Sequence, residues 1–521
     1  MASEWSVKAA REGSILSEAG TPIESAVASI YRISPQDNVV IALRPMDSGE
    51  SVTWAGGVLH LKEAIAPGHK IASVAIAAGE QVLKYGWPIG RALRPIQPGE
   101  HVHTHNLVTQ LQGEEPYAFS AQPAAPTQPD PGVLQFQGYR RRSGRVGTRN
   151  EIWILCTVGC VANTAHRIAE RARAMFAGRV DGIFAFTHPF GCSQLGEDLE
   201  GTRRIIAGLA AHPNAAGVLL IGLGCESNQL TALLESAPQI DRSRLRTFAA
   251  QEEADEIEAG LREIGQLVEL AEQDRRTPCP VSDLVVGLKC GGSDGLSGVT
   301  ANPLVGMIAD RVSAAGGTLI LTEIPELFGA DRLLMTRAVS EPVFDSMVAL
   351  INGFKRYFLN HGELVSENPS PGNLAGGITT LEEKSLGAVQ KAGRAPVTQV
   401  LRYGHAVAMP GLALLEAPGN DAVSSTALVA AGATVLLFTT GRGTPLGFPA
   451  PTLKIATNSG LAARKPRWID FDAGRLLAGA DMTLLADDLL ERVLATASGA
   501  PTRSELNGER EIAIWKRGVT L

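Results

Sequence analysis

Cysteine is scarce in this sequence, with six residues in a chain of 521. Six are too few for a disulfide scaffold, so we expect each thiol to be either a small buried hydrophobe or a ligand of a metal or redox group. No apolar run approaches the ~18–20 residues that a membrane span requires. Residues 1–20 carry charges in place of an apolar secretory core. The sequence therefore predicts a cytoplasmic protein.

An excess of positive charge is also lacking. The chain has 47 Lys and Arg against 54 Asp and Glu, a formal charge of -7, and the two signs are mixed along the sequence. No basic stripe is present to neutralise a phosphate backbone, so we expect neither nucleic acid nor a membrane as a partner. Hydrophobic residues make up 45% and charged residues 19%, the balance of a globular protein. A small-molecule ligand fits this composition.

Glycine is abundant, with 56 residues, and its distribution helps to divide the chain. Residues 1–36 form an N-terminal extension without a functional motif. In residues 37–108, short apolar runs alternate with Gly- and Pro-containing turns, which predicts a small all-β domain. Residues 109–134 are rich in proline and are predicted to form a semi-extended linker. The β domain is thus predicted to be tethered to the rest of the chain.

After the linker the sequence predicts an α/β fold with a mainly parallel sheet, because apolar strand-like runs alternate with helical segments such as 252–272 and 341–358. Continuous apolar runs of this kind are buried on both faces of a sheet. The predicted strands are 152–155, 182–186, 217–221, 284–288, 318–321 and 434–438. A change near Arg276 separates a middle domain, 135–275, from a C-terminal domain, 276–521. Whether the two share one sheet stays open at this point.

Three cysteines follow predicted strands at equivalent places, in polar loops with glycine: Cys192 in HPFGCSQ, Cys225 in GLGCES and Cys290 in KCGGSD. Cys160, in TVGC, follows a fourth strand. Ligands bind beyond the carboxyl ends of strands in open α/β sheets, so these thiols can converge on one centre. The alternative is a buried structural role. We assign that role to the two cysteines that lack this context, Cys156 and Cys279.

Two further strand ends carry polar side chains. Glu323 and Glu326 follow the strand 318–321, and either is a candidate base or metal ligand, or an acid favoured by a helix N-terminus. Arg442, with Thr439 and Thr440 before it, lies in the loop TTGRGTP. A guanidinium can grip both oxygens of a carboxylate while backbone amides supply further donors. The alternative for this loop is a tight turn with a solvated arginine.

Two motifs of the predicted β domain hold four of the ten histidines: His69 in GHK, and His101, His103 and His105 in EHVHTH. The last three alternate with smaller residues, so on a strand they would project to one face. There they could act as acid/base groups or as metal ligands. Exposed histidines without a role are the alternative.

Many ordered motifs resemble one known family. They include GHK, HVHTHN, GRVGTRNEIWIL, TVGC, HPFGCSQLG, CGGSDGLSGVTANP, ENPSPGN, APGNDAVSSTAL, FTTGRGTP and WIDFDAG. From about residue 37 to the C-terminus the sequence is similar to the altronate and galactarate dehydratase family. The runs HVHTHN, GCSQLG and LTEIPELFGA resemble the altronate branch more than the galactarate branch.

The resemblance implies an N-terminal β-clip (SAF-like) domain, a middle domain that helps to form a homodimer, and a Rossmann-like C-terminal domain. It also implies a hydro-lyase of uronate catabolism that converts an altronate-like aldonate to 2-keto-3-deoxygluconate and water. The implied cofactor is Fe2+, with Mn2+ as an alternative, either as a single ion or within an iron–sulfur cluster. Four positions depart from the family pattern: Leu446, Ser227, Cys156 and Leu374. Leu446 lies beside the loop of Arg442, so its departure bears on the identity of the substrate.

Roles follow from these motifs. The expected metal ligands are Cys192, Cys225 and Cys290, with Cys160 and His103 as further candidates. The expected substrate contacts are Thr439, Thr440, Arg442, Ser293, Asp294 and Asn302. Proton transfer is expected from His69, Lys70, His101 or Glu323. Thiolate ligands prefer softer metals, which is consistent with iron.

Two other functions stay open. One is a lyase of the same framework that acts on galactarate or on a sulfonated lactate, and assays of a panel of acids would separate these. The other is a metabolite-binding regulatory protein whose β domain senses the ligand. Tight binding without product would identify that function.

Overall fold

The N-terminal domain is a set of short antiparallel strands joined by tight turns, which confirms the all-β prediction. The computed structural model describes residues 28–120 and 134–521. In the first range the strands are β1 (Ile30–Tyr31), β2 (Val39–Ala42), β3 (Ser51–Trp54), β4 (Gly57–His60), β5 (Lys70–Ala72), β6 (Gln81–Lys84), β7 (Trp87–Ala92), β8 (His101–Val102) and β9 (Leu107–Val108). Most of the predicted extension, and residues 121–133 of the predicted linker, lie outside the described residues.

These strands form three small sheets, in the orders β1-β2-β5-β8, β3-β4 and β6-β7-β9. Apolar side chains such as Val40, Ile71 and Ile89 are fully buried between them. The first strand lies before residue 37, where we place the start of the domain, and it pairs antiparallel with β2. The domain therefore extends into part of the segment that we predict to be an extension.

A small antiparallel sheet joins the two α/β domains. β10 (Gln135–Arg140) pairs with both β11 (Val146–Gly147) and β16 (Thr277–Pro280). Because β10 begins the middle domain and β16 begins the C-terminal domain, this pairing holds the starts of the two domains together. The sequence predicts a boundary near the same place, at Arg276.

Four parallel strands form the sheet of the middle domain. They are β12 (Glu151–Cys156), β13 (Gly182–Phe186), β14 (Ala215–Gly222) and β15 (Leu245–Ala249), in the order β13-β12-β14-β15. The accompanying helices are α1 (Ala162–Met175), α2 (Gly196–Ala210), α3 (Leu230–Glu235) and α4 (Glu256–Ala271). All six residues of β12 are buried, as expected for a strand covered on both faces.

Seven parallel strands form the sheet of the C-terminal domain. They are β17 (Val285–Cys290), β18 (Thr318–Leu321), β19 (Val397–Leu401), β20 (Gly411–Leu415), β21 (Val435–Thr440), β22 (Thr452–Ala456) and β23 (Phe471–Asp472), in the order β19-β20-β18-β17-β21-β22-β23. The helices are α5 (Ala301–Ala314), α6 (Asp331–Met335), α7 (Glu341–Asn360), α8 (Pro371–Ala375), α9 (Leu381–Ala388), α10 (Asp421–Ala430), α11 (Ser459–Arg464), α12 (Met482–Ala497) and α13 (Arg503–Asn507). The two α/β domains thus have separate parallel sheets.

The carboxyl edges of the two sheets open toward the same side of the molecule. Helices α2 and α10 pack along each other, since a β-carbon on Gly208 would lie 2.5 Å from Ala430 O. Near their other ends, Arg517 pairs with Glu197 in α2 and with Glu416, which precedes α10, each at 3.3 Å. The two helices therefore run parallel, and the loops that follow the strands of both sheets lie on one side.

The strands predicted from apolar runs are all present, and no end is shifted by more than two residues. The helix predicted at 252–272 begins at Glu256, because the side chain of Asp255 accepts hydrogen bonds from the backbone of Ile257 and Glu258 and caps the first turn. The short strands β15, β19, β20 and β22 were not predicted. Among the residues that the structure describes, no helix is long and apolar enough to cross a membrane.

Candidate active site

Two loops at the carboxyl edge of the C-terminal sheet carry most of the predicted substrate contacts. Loop 291–298 follows β17, and loop 441–445 follows the neighbouring strand β21. The backbone N–H groups of Gly441 and Arg442 both donate to Gly292 O at 3.1 Å. Gly292 has a φ of +63°, which glycine adopts without strain. The two loops are therefore held against each other.

Asp294 ties these loops to the segment after β22. Its carboxylate accepts hydrogen bonds from Thr457 Oγ1 at 2.9 Å, Ser297 Oγ at 3.0 Å and Asn458 Nδ2 at 3.3 Å. Burial raises the pKa of Asp294, and the hydrogen-bond donors oppose the rise. A β-carbon at Gly441 would overlap this carboxylate, so the approach of the two loops requires glycine.

A cavity of about 500 Å³ lies between these loops and the N-terminal domain. Leu43 and Pro67 line it from the N-terminal domain, and Asp294 and Arg442 line it from the C-terminal domain. Arg442 is exposed, and its Nη1 donates to Gly372 O at 3.3 Å. The guanidinium has five N–H donors, so others are available for a bound carboxylate.

The other predicted substrate contacts lie beneath the cavity. Thr439 Oγ1 donates to Asn302 Oδ1 at 2.7 Å, and both residues are almost fully buried. Thr440 Oγ1 accepts a hydrogen bond from the backbone N–H of Gly443 at 2.8 Å. Ser293 is 5% exposed. These side chains support the loops that line the cavity.

The predicted histidines form a cluster beside the cavity. The ring centroids of His69, His101 and His103 are 5.0 to 5.4 Å apart. His69 Nδ1 lies 2.9 Å from His101 Nε2, and His69 Nε2 lies 3.4 Å from Ala375 O. His103 Nε2 donates to Leu374 O at 3.0 Å. The cluster thus contacts the end of α8, and the next residue, Gly376, lines the cavity.

The hydrogen bonds of this cluster indicate which nitrogen is basic. A carbonyl oxygen accepts only, so His69 Nε2 carries a hydrogen toward Ala375 O, and His69 Nδ1 accepts from His101 Nε2. That tautomer leaves His101 Nδ1 as an acceptor. Burial, followed by the neighbouring His69 and His103, lowers the pKa of His101 to about 3. His101 is therefore neutral near pH 7.

Lys70 lies next to the histidines but points into the domain interface. Its Nζ donates to Thr379 Oγ1 at 2.6 Å, and to Glu383 Oε2 and Gly377 O at 2.8 Å. Lys84 Nζ donates to the other oxygen of Glu383 at 2.7 Å. Burial alone would raise the pKa of Glu383, but the charges of Lys70 and Lys84 lower it to about 2. This carboxylate stays ionised and fixes the N-terminal domain to α9.

Glu323, which follows β18, is buried beside a lysine. Its carboxylate contacts Lys289 Nζ, which also lies 2.7 Å from Asp421 Oδ1. Glu323 has a φ of +66°, a strained value for a residue other than glycine. Burial, and then the charge of Glu326, raises the pKa of Glu323 to about 7. This carboxyl group can hold a proton near neutral pH.

Glu326 and Cys290 continue the buried network. Glu326 Oε1 lies 2.8 Å from Lys384 Nζ, and Cys290 Sγ lies 2.7 Å from Lys391 Nζ and 3.3 Å from Glu326 Oε2. Burial would raise the pKa of Glu326, but Lys384 lowers it to about 2. Burial raises the pKa of Cys290 to about 12, which favours the neutral thiol.

Cys290, Glu323 and Glu326 are spaced to hold one metal ion, since one ligand atom from each lies within 4.8 Å of the other two. The charges around these three residues, however, do not favour a cation. Glu326, Asp421 and, when ionised, Glu323 already face three buried ammonium groups, and the thiol is neutral. A divalent cation would lie next to those ammonium groups in an interior that screens repulsion poorly. The spacing fits a metal ion, but the charge balance does not.

The other predicted thiol ligands lie in the middle domain. Cys160, Cys192 and Cys225 follow β12, β13 and β14, and all three are exposed. Cys290 is the last residue of β17, in the other sheet, and is 2% exposed. The structure therefore brings three of the four thiols to one sheet edge and places the fourth elsewhere. The two cysteines that we assign a structural role, Cys156 and Cys279, are buried.

The sequence did not reveal the buried ion pairs of Glu383, Lys84 and Lys289. One signal was available, because a lysine within or at the end of an apolar strand requires a buried counter-charge. Lys84 ends β6 and Lys289 is the fifth residue of β17, and both are buried. The sequence does not show which carboxylate pairs with Lys84, because Glu383 lies 299 positions away in the chain.

Three family profiles match the chain, in the order of its domains. The altronate/galactarate dehydratase SAF domain matches residues 28–110, and the second domain of D-galactarate dehydratase/altronate hydrolase matches residues 138–272. The C-terminal domain of D-galactarate/altronate dehydratase matches residues 281–520. Together these profiles span most of the chain.

Curated relatives agree with the profiles. Altronate dehydratase of Escherichia coli (strain K12) is 49% identical over 94% of this chain and 99% of its own. Altronate dehydratase of Bacillus subtilis (strain 168) is 46% identical over 95% of this chain and 100% of its own. Galactarate dehydratase (L-threo-forming) of Escherichia coli (strain K12) is 34% identical over 91% and 94%. With a cavity at the sheet edge and this coverage, the chain belongs to the altronate/galactarate dehydratase family.

Proposed function

We propose that this protein dehydrates an altronate-like aldonate to 2-keto-3-deoxygluconate and water, as a step of uronate catabolism. Its family and its similarity to two altronate dehydratases over nearly the whole chain make it a sugar-acid hydro-lyase. The altronate branch is favoured over the galactarate branch because identity falls from 49% and 46% to 34% between the two kinds of relative.

The exposed guanidinium of Arg442 in the interdomain cavity carries the proposal. A volume of about 500 Å³ is in the range of small-molecule sites and suits a six-carbon acid. The planar fork of Arg442 can bind both oxygens of the substrate carboxylate, and Asp294 can accept hydrogen bonds from substrate hydroxyl groups. Substrate contacts by Ser293, Thr439, Thr440 and Asn302 stay predictions, and burial of these side chains favours a supporting role.

The reaction removes the proton at C2 and the hydroxyl at C3. Loss of the C2 proton moves charge onto the carboxylate oxygens, where Arg442 can stabilise it. The C3 hydroxyl leaves as water when a general acid protonates it, and the resulting enol gives the 2-keto acid. A base that is neutral at working pH and an acid that keeps its proton there are both needed.

We assign the base to the His69–His101 pair. His101 is neutral near pH 7, and the tautomer derived above leaves its Nδ1 free to accept the C2 proton. Glu323 is our candidate acid because its pKa is raised to about 7. Lys70, the remaining residue predicted for proton transfer, is held in the ion pair with Glu383, so we do not assign it a role as acid or base.

Iron(II) is the cofactor that we propose, with Mn2+ as the alternative. When bound, such a metal acts as a Lewis acid that polarises a substrate oxygen. The buried group of Cys290, Glu323 and Glu326 fits poorly in charge. The exposed thiols predicted as ligands, Cys192 and Cys225, offer donors that suit iron. His103 stays a candidate ligand, and its Nε2 is engaged with Leu374 O.

We also propose that the protein works as a homodimer in the cytoplasm. All six cysteines are free and three of them are exposed, as expected in a reducing compartment. The family resemblance assigns dimer contacts to the middle domain. Light scattering during gel filtration would measure the mass, and a monomer at micromolar concentration would contradict the dimer.

One assay tests the main proposal. The purified chain is incubated anaerobically with ferrous iron and, in separate samples, with altronate, galactarate or a sulfonated lactate, and the 2-keto product is measured. We expect the largest kcat/KM with altronate. A larger value with another acid would contradict the substrate, and tight binding of altronate without product would indicate a regulatory protein instead.

A further inference from the structure

Part of the predicted linker lies against the C-terminal domain. We call residues 113–119, with the sequence GEEPYAF, the docked segment. Its exposure alternates along the chain: Gly113, Glu115 and Tyr117 are buried or half-buried, whereas the residues between them are exposed. Alternate side chains of an extended chain point to the same side. The docked segment is therefore extended, with one side against the protein.

Helix α7 pairs with the backbone of the docked segment. The N–H of Glu115 donates to Asn352 Oδ1 at 3.2 Å, and Asn352 Nδ2 donates to Glu115 O at 3.0 Å. One side-chain amide thus satisfies both backbone groups of an extended residue, as a neighbouring strand would. Arg356 Nη2 and Nε donate to the carboxylate of Glu114 at 2.6 and 3.0 Å. Residues four apart lie on one face of a helix, so a single face of α7 binds two successive residues of the segment.

Tyr117 bonds to a buried ion pair between α6 and α7. Its hydroxyl donates to Asp331 Oδ2 at 2.9 Å and accepts a hydrogen bond from Lys355 Nζ at 3.1 Å. Asp331 and Lys355 lie 3.7 Å apart, and both are almost fully buried. Burial, and then the charge of Asp331, raises the pKa of Tyr117, so the hydroxyl keeps the proton that it donates. The guanidinium of Arg332 lies 5.0 Å from the centre of the ring.

The charges of the two sides are complementary. The docked segment has two acids, Glu114 and Glu115, and the facing helices carry Arg332, Lys355 and Arg356. Lys355 Nζ lies 3.2 Å from Glu115 Oε1, and Arg332 Nη2 lies 3.4 Å from Glu115 Oε2. Charges at the rim of an interface contribute to selectivity, whereas an aromatic anchor contributes more of the affinity. This groove combines the two.

The docked segment follows directly on contacts of the N-terminal domain. Thr109 Oγ1 donates to Glu382 Oε1 at 2.8 Å, and the N–H of Gln110 donates to the same oxygen at 2.7 Å. The neighbouring carboxylate, Glu383, binds Lys70 of β5. The docked segment begins three residues after Gln110. The chain that leaves the N-terminal domain is therefore fixed twice, first on α9 and then on α7.

We propose that α6 and α7 form a peptide-binding site for an extended acidic segment with a tyrosine anchor, which residues 113–119 of the same chain occupy. All the contacts come from groups within the docked segment, so recognition does not require that the segment be joined to the N-terminal domain. A free peptide of the same sequence should bind once the chain's own segment is removed from the site. In the intact chain the site limits how far the N-terminal domain, with its histidines, can move from the cavity. The inference is independent of the proposed dehydration, because binding alone tests it.

An open variant of the full chain, with Glu115→Ala and Tyr117→Ala, tests the site. A fluorescent peptide with the sequence of residues 112–120 is titrated into this variant, and fluorescence anisotropy is measured. We expect a Kd below about 1 mM, because a tethered segment has an effective concentration of about that order and a weaker site would stay open. The native chain should bind the peptide at least about tenfold more weakly, since its own segment fills the site.

Two controls separate recognition of the segment from attraction between charges. A peptide with Tyr117→Ala keeps both acids but lacks the anchor, so it should bind at least about tenfold more weakly. Asn352→Ala, added to the open variant, removes the amide that pairs with the peptide backbone and should also weaken binding. Asn360→Ala, at the exposed end of α7, should leave binding unchanged. Equal binding of the two peptides, or of the peptide to the native chain and the open variant, would overturn the proposal.

Hydrogen exchange of the native chain gives a readout that does not depend on the folding of the open variant. Fragments that cover residues 111–119 should exchange more slowly than the free peptide, because the N–H of Glu115 is bonded to Asn352. Asn352→Ala should speed this exchange, and Asn360→Ala should not. Exchange in the native chain as fast as in the free peptide would show that the segment does not occupy the site, and would also overturn the proposal.

Discussion

Lys70 and Glu383 form an ion pair of 2.8 Å across the domain interface in which neither side chain is exposed to solvent. Lys84 completes the arrangement by binding the second oxygen of the same carboxylate at 2.7 Å. Two strands of the N-terminal domain thus share one counter-charge on α9. Because two buried lysines cannot face each other without it, docking of the domain depends on Glu383.

Replacement of Glu383 by glutamine should release the N-terminal domain. The variant keeps the shape of the side chain but leaves two buried ammonium groups without a counter-charge, a loss of about 3–5 kcal/mol. Hydrogen exchange measured by mass spectrometry should show this loss as a lower opening free energy for β5, β6 and α9. The matched control is Glu50→Gln, which removes the exposed pair with Arg44 and should change the opening free energy far less, because solvent screens an exposed pair. Equal effects of both variants would contradict a special role for Glu383.

The same carboxylate should make docking sensitive to acid. Its pKa is lowered to about 2 in the folded protein from an ordinary value of 4.5. A lowered carboxyl pKa contributes stability that is fully present above the unfolded value and is lost as the pH falls through the folded value. We expect the opening free energy of β5 and β6 to fall between pH 4.5 and 2. Glu383→Gln should flatten this dependence, and an unchanged slope would exclude Glu383 as its source.

The backbones of the N-terminal and C-terminal domains make close contact beside residues that line the cavity. A β-carbon on Gly295 would overlap Gly68 O, which belongs to the N-terminal domain. Gly295→Ala should therefore separate the domains, at a cost of about 1–3 kcal/mol, and should raise KM for the acid. Gly353 lies in α7 with no atom within 4 Å of the corresponding position, so Gly353→Ala should stabilise the helix by up to about 1 kcal/mol. Urea denaturation and initial rates measure both effects.

The buried strands of the α/β domains were predictable because continuous apolar runs of this kind occur in sheets covered on both faces. The strand β19 was missed because it mixes polar and apolar residues, and buried residues alternate with half-buried ones, as expected at one edge of the sheet. Its assignment as a strand depends on pairing with β20, which the local sequence does not show.

The sequence predicted several residues of the candidate site, but it did not show which of them lie together in the fold. Strand ends indicated Arg442 and Glu323 because the carboxyl ends of parallel strands collect ligands. The sequence placed Cys290 together with the other loop thiols, since nothing local shows that β17 belongs to a separate sheet. It also gave no sign that Lys70 pairs with Glu383, because the two lie 313 positions apart and meet only when the domains dock.

Arg442→Lys should weaken binding of the acid while leaving the fold intact. Lysine keeps the positive charge but lacks the planar fork that binds two carboxylate oxygens, so we expect KM to rise about tenfold or more. The side chain of Arg442 is exposed and donates to Gly372 O, so stability should change by less than about 0.5 kcal/mol. Steady-state kinetics and thermal unfolding measure the two quantities. An unchanged KM would remove Arg442 from the substrate site.

His101→Asn should slow proton removal at C2 without disturbing domain docking. The amide of asparagine cannot take a proton, so kcat should fall by about 10²–10⁴-fold. Exchange of the C2 hydrogen with solvent deuterium isolates this step and should slow by a similar factor. His60→Asn is the matched control, because His60 is an exposed histidine of the same domain whose ring Nδ1 lies 2.8 Å from Ser51 Oγ. Normal exchange at C2 in the His101 variant, with product formation still slow, would move the base elsewhere and leave His101 as a positioning residue.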